Sequence, residues 1–179
     1  MTIQEQVLST WYENNCVNLE ILDTIPDESL FWTTSKRGGG TIGYQFTHIH
    51  NVRFWTLEAS AKDLLLPNET SVKVETPLEK SNIRSLLLQS AEQIALFLQR
   101  GIENNLMMKR KSDGGVINKL SRMIAHEAHH RGNIMLTLKL QGYKILDNLK
   151  WNIWDWNRYE TPYSAQKIQN NDSHSTSYN

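Results

Sequence analysis

Apolar residues recur at intervals of three and four along four long stretches of the chain, the pattern of helices that bury one face. The first stretch runs from Ile3 to about Leu22, with Val7, Leu8, Trp11, Val17 (or Cys16) and Leu19 in phase, and Asp23, Thr24 and Pro26 end it. Lys36-Arg37-Gly38-Gly39-Gly40 is a loop, because three successive glycines do not sit inside a helix. Thr41 directly after it suits an N-cap for a second helix from Ile42 to about Ala61. Pro67 and Pro77 bracket a longer connection, with strand-like alternation over Ser71 to Thr76, that reads as an extended crossover. Thr76-Pro77-Leu78-Glu79 then carries a cap residue, a proline at the first helical position and a glutamate in capping-box position. The third helix so begun runs to about Ile102, with Ile83, Leu86, Leu87, Ile94 and Leu98 at core spacing. After a turn at Ser112-Asp113-Gly114-Gly115, the fourth extends from about Val116 to Leu140, with Gly142 as its terminating glycine.

Four such helices, one long crossover and no strong strand describe an all-α four-helix bundle. Trp151-Asn152-Ile153-Trp154-Asp155-Trp156 is aromatic enough to pack back on this body. Residues 1–159 thus form one domain, and the polar stretch from Glu160 to Asn179 is expected to be a disordered tail.

The histidines change this from a fold into a site. Five of the six fall in two clusters, His48 and His50 on the second helix and His126, His129 and His130 on the fourth. Residues four apart on a helix are rotated by only about 40°, so His126 and His130 can aim two imidazoles at one point. Ile134 and Leu138 lie near that face, which therefore looks into the bundle. Two buried imidazoles without partners are costly, and a divalent ion satisfies them. A lone histidine is more often structural; a core-facing pair with further histidines on another helix shifts the balance to metal. His48 and His50 point nearly opposite ways, each on an apolar face, so one of them is the third ligand and periodicity does not choose which. Imidazole suits zinc, nickel, copper and iron alike.

His126-Glu127-Ala128-His129-His130 also matches the His-Glu-x-x-His string of zinc proteases. Such an enzyme needs a third ligand downstream, where only Glu160 and His174 remain, and a sheet and cleft for which no pattern exists. The reading is set aside.

Composition narrows the partners. Lysine plus arginine equals aspartate plus glutamate at 19 each, which argues against nucleic acid or an anionic membrane as the main partner. Lys109-Arg110-Lys111 is three charges at a loop, more often solvated than a phosphate track. Cys16 is the only cysteine, so no intrachain disulfide forms and a reducing cytoplasm is the expected location. Neither a secretory pattern at the N-terminus nor an apolar run of about 20 residues is present. Five tryptophans, Trp11, Trp55, Trp151, Trp154 and Trp156, are candidates for a pocket wall above the ion, although tryptophan is more often plain core.

The segment His126 to His130, running into Arg131-Gly132-Asn133-Ile134, Leu138 and Gly142-Tyr143, resembles the DinB family (the DNA-damage-inducible, YfiT-like bundles). That family carries a His-x-x-x-His pair followed by Arg-Gly-Gln, here with Asn133 in place of the glutamine. Thr47-His48-Ile49-His50-Asn51-Val52-Arg53-Phe54-Trp55 looks like its second-helix segment, and Trp154-Asp155-Trp156 resembles the ending of one subgroup. The resemblance spans roughly residues 1–156. It implies an up-down-down-up bundle, often a homodimer, with one divalent ion, zinc or nickel foremost, on three histidines. Matched residue by residue, these are His48, His126 and His130, and this match is what favours His48 over His50. Three protein ligands leave an open position on the ion, as in catalytic zinc sites. The family context then implies a metal-dependent hydrolase or a thiol S-transferase acting on a small molecule, with a low-molecular-weight thiol as one partner. The competing class is a non-catalytic bundle in which the ion staples two helices. No catalytic residue is assigned, and Glu127 receives no role in chemistry. Gly132 is expected to permit close approach of another helix, and Arg131 to form a salt bridge.

Overall fold

The structure, a computed structural model, describes residues 1–34, 40–73, 78–104 and 115–163. Among these residues there are five α-helices and no strand: α1 (Ile3–Thr24), α2 (Ile42–Ser60), α3 (Lys80–Glu103), α4 (Gly115–Leu140) and the short α5 (Asp147–Asn152).

Local chemistry accounts for most of the boundaries. α1 starts in a capping box: Thr2 Oγ1 accepts from the Glu5 amide at 3.2 Å, and the Thr2 amide donates back to Glu5 Oε2 at 2.6 Å. Thr41 caps α2 as its position predicts, its hydroxyl accepting from the Tyr44 amide. α3 begins at Lys80 with Glu79 at the cap, later than the proline signal indicates; Glu79 is still extended, and Thr76 and Pro77 lie outside the described residues. α4 closes at Gly142, where φ is 78°. The Tyr143 amide reaches Leu138 O and the Gly142 amide reaches Lys139 O, the two bonds of a Schellman turn that only a residue tolerant of positive φ completes cheaply.

Two apolar clusters make the core. One joins Val17 to Ile25 of the first helix and its exit with Ile42 to Ile49, Ile83, Leu87, Ile134 and Leu138. The other joins Val7, Leu8 and Trp11 with Leu57, Ile94, Leu98, Leu120 and Met123. α1 and α4 therefore run from the second cluster to the first, and α2 and α3 run the opposite way. The parallel pair α2 and α3 needs the long connection between them. The strand-like alternation predicted there finds no strand partner among the described residues. Instead Asn51 of α2 holds it with its amide side chain, donating to Val72 O at 2.9 Å and accepting from the Val72 amide at 2.8 Å.

The C-terminal segment packs back in part. Leu149, Ile153 and Trp156 join the first cluster, but Trp151 and Trp154 are 75% and 79% exposed. Tyr163 lies against Tyr12, with ring centroids 6.4 Å apart; residues 164–179 of the predicted tail lie outside the described residues. The expectation for Gly132 is overturned, because a Cβ added there meets nothing within 4 Å. The glycine that does permit close approach is Gly101 on α3, where a Cβ would come within 2.6 Å of Val116 Cγ2.

Candidate metal centre

Between the two apolar clusters lies a layer of buried polar groups, and it fixes α2 against α4 at the level of the histidines. Arg53 is wholly buried. Its Nε and Nη2 donate to the two oxygens of Glu127 at 2.8 and 2.9 Å, a bidentate pair from α2 to α4. Its Nη1 donates to Asn15 Oδ1, Leu87 O and Ser90 Oγ, and the guanidinium lies 4.7 Å from the Trp11 ring centroid. Glu127 Oε2 accepts further from Asn14 and Asn18 of α1 at 2.6 and 2.7 Å. Those asparagines accept in turn from Arg131 Nη1 at 2.9 and 2.8 Å. Burial by itself would raise the Glu127 pKa, but Arg53, Asn18 and Arg131 hold it below the usual carboxylate range. The salt bridge expected for Arg131 reduces to a 4.0 Å approach to Glu127, with the asparagines between.

This network was not legible as a unit in the sequence. Its signals were present: Asn14, Asn15 and Asn18 interrupt the apolar stripe of α1, and Arg53 sits on a helix face flanked by Val52 and Phe54. The network also disposes of the protease string. The carboxylate of Glu127 is 2% exposed and saturated by α1 and α2 donors, so it presents no base to a substrate.

With α2 and α4 so held, three imidazoles meet. One nitrogen each from His48, His126 and His130 lies within 4.8 Å of the others. Ring centroids are 5.3 Å apart for His48 and His126, 4.9 Å for His48 and His130, and 4.6 Å for His126 and His130. His130 is buried, and the other two are half-buried. Burial lowers the pKa of all three, and for His130 burial together with the His126 and His48 rings pushes it down to about 4. The cluster is therefore neutral near pH 7, the form in which imidazole is a ligand.

The donor set fits a divalent ion of the zinc type. Nε2 of His126 and Nε2 of His130 are 3.2 Å apart. A tetrahedral centre with metal–nitrogen bonds of about 2.0–2.1 Å has an edge of about 3.3 Å. His130 Nδ1 is buried with no protein partner, so one ring nitrogen lacks the acceptor that usually orients a ligand histidine.

The remaining histidines do not join the three, although the His129 ring lies edge-on to His130 with centroids 5.3 Å apart. His50 is buried on the other side of α2, with Nδ1 at 3.2 Å from Leu86 O, and does not approach the cluster. His129 Nε2 accepts from Asn133 Nδ2 at 3.1 Å on the exposed side of α4. His174 lies outside the described residues. Of the tryptophans, only Trp55 is at the cluster, edge-on to His48 with centroids 6.0 Å apart, while Tyr44 stacks on that ring from the preceding turn at 6.1 Å. Both are open to solvent, at 43% and 45% exposure for Tyr44 and Trp55. Trp11 is core, donating from Nε1 to Ala91 O. Trp151, Trp154 and Trp156 are on a different face of α4. Cys16 is half-buried against the first apolar cluster, and burial raises its thiol pKa, as for an unreactive small hydrophobe.

Helices that run in opposed pairs, with three imidazoles converging from two of them, define an all-helical protein with a candidate ion site. The DinB family matches residues 1–156, and the chain belongs to that family. No curated protein and no solved structure matches the chain. No helix among the described residues is long and apolar enough to cross a membrane.

Proposed function

We propose that the chain is a four-helix bundle of up-down-down-up order whose His48, His126 and His130 bind one divalent cation, zinc or nickel foremost. On this reading the protein is a metal-dependent enzyme, a hydrolase or a thiol S-transferase, acting on a small molecule. The observation that carries it is the convergence of three neutral imidazoles from α2 and α4. An ion with an open position supplies Lewis acidity, lowering the pKa of a bound water or thiol. The chain's own residues present the opening. Tyr44 and Trp55, on either side of His48 and partly exposed, offer aromatic faces to the apolar part of a substrate. Buried Arg53 and Glu127 hold the two ligand-bearing helices in register.

A second reading has one observation in its favour: the three ligands span only α2 and α4, as a staple between helices would. The two differ in coordination. Elemental analysis of purified protein is expected to return about one divalent ion per chain. The cobalt-substituted protein should have a visible spectrum that shifts when a small thiol or acetohydroxamate is added, as an open position allows. A spectrum indifferent to every added ligand supports the staple. Retention of the ion after changing both His126 and His130 to alanine removes the site altogether.

A further inference from the structure

A groove with a volume of about 970 Å³ lies away from the histidines. It runs along the stripe Ile124, Ala128, Gly132, Leu136 of α4 and is closed on its far side by the segment around α5. Ala128 and His126 are separated by about 200° around the helix, so groove and histidine cluster occupy opposite faces of α4.

Three features give this groove a ligand chemistry. Its walls are apolar and aromatic: Met135 on one side, Trp151, Trp154 and Trp156 on the other. Two of these tryptophans are more than 70% exposed, while Trp156 is anchored by its own Nε1 bond to Ile153 O. Its charge is one-sided. Arg131, Lys139 and Lys150 line it, and among the described residues no carboxylate does, in a chain whose formal net charge is zero. Most telling is Arg131, which is 9% exposed and lies at the groove. Its Nη1 is committed to Asn14 and Asn18, and among the described residues its Nε and Nη2 donate to no protein acceptor. A guanidinium held through Nη1, with its Nε and Nη2 hydrogens unspent among the described residues and lining an apolar trough, suits a carboxylate or sulfonate. Lys139 is a second cation on the rim, whereas Lys150 is already paired with Asp147. Gly132 leaves room between Arg131 and the tryptophans, since no atom lies within 4 Å of where its Cβ would be.

We propose that this groove binds an amphipathic monoanion, a medium-chain or aromatic carboxylate or sulfonate, with its head group on Arg131 and its apolar body among Trp151, Trp154 and Met135. The site is independent of the histidine cluster and of any ion there.

Titration of the full-length protein with decanoate, followed by tryptophan fluorescence, tests it. A saturable change with an affinity on the order of 0.1 mM is expected, and 1-decanol should bind at least about tenfold more weakly. Gly132→Leu places a side chain in the trough at a position where an added Cβ meets nothing within 4 Å, and a circular dichroism melt checks that the fold survives; decanoate affinity should fall at least about tenfold. Lys139→Glu should weaken binding about threefold or more, and Trp154→Phe should remove much of the signal. His126→Ala should leave the titration unchanged. The proposal is overturned if decanoate gives no saturable change, if decanol binds as well, or if folded Gly132→Leu binds like the parent. Loss of binding in His126→Ala would also overturn it, since that assigns the carboxylate to the histidine cluster. So would protection of the same tryptophans by self-association that excludes decanoate, which assigns the groove to a second copy of the chain.

Discussion

His48 and His50 differ by two positions and have opposite fates. His48 is half-buried, its ring bracketed by Tyr44 and Trp55 and facing His126 and His130. His50 is 1% exposed, spends Nδ1 on Leu86 O and leaves Nε2 without a protein partner. Their substitution should therefore separate metal affinity from stability. His48→Ala is expected to lower affinity for zinc by more than about 100-fold, since loss of outer-shell partners alone costs about 10–100-fold. It should barely move the urea midpoint of the metal-free protein. His50→Ala should do the reverse, keeping one ion per chain while losing about 1–3 kcal/mol through the broken buried hydrogen bond and the space left behind. Equal metal loss in both variants would mean that the assignment of His48 over His50 is wrong. In the sequence this choice rested on family resemblance alone, because both residues sit on apolar faces. The tertiary structure adds the reason: α3 covers one face of α2 at Leu86, and α4 approaches the other.

At the scale of elements, the Arg53–Glu127 pair joins the helix that carries His48 to the helix that carries His126 and His130. Both groups are almost fully buried, and asparagines of α1 and the backbone of α3 satisfy them. Breaking such a pair from one side leaves a charge stranded in a low dielectric. Glu127→Leu alone should destabilise the protein by about 3–5 kcal/mol, whereas the double change Arg53→Met with Glu127→Leu should recover most of it. Urea unfolding of the two variants measures the difference. Metal affinity of the double variant reads a second property: if the pair sets register, the ion binds more weakly even where stability returns. Helix positions and the caps at Thr41 and Gly142 are legible in the sequence, because periodicity and cap residues are local signals. The capping box of Thr2 and Glu5 is an equally local signal. The start of α3 was misplaced, because the proline signal at Thr76-Pro77 competes with packing of Leu78 against the first apolar cluster. The buried network was not legible, because its members are separated by up to 117 positions.

For the whole molecule, the histidine cluster couples folding to pH. The His130 pKa is pushed down to about 4 in the folded protein, against about 6.5 in an unfolded chain. Between those values the unfolded state binds more protons than the folded one. Stability therefore rises with pH across this window and is lost as pH falls from about 6.5 toward 4. The lowered pKa values of His48 and His126 act in the same direction. Thermal melts of chelator-treated protein at pH 7, 6, 5 and 4.5 should show a decline that His130→Gln flattens. A saturating divalent ion should raise the melting temperature most at pH 7 and progressively less below pH 6, as protons compete for the same nitrogens. An identical ion-induced rise at pH 5 and pH 7 would exclude imidazole ligation. What the sequence by itself determined was everything carried by short-range regularity: four helices, their approximate ends, the lack of a strong strand pattern, and a His-x-x-x-His pair that helical geometry alone puts on one face. What only the tertiary structure decided was which groups from different helices meet. That covers the third imidazole, the saturation of Glu127 by Arg53 and the α1 asparagines, and the turning of the C-terminal tryptophans away from the histidine cluster onto a groove of their own. The physical reason is that a helix fixes the directions of its side chains from local geometry, while the neighbour each direction finds depends on how all the helices pack at once.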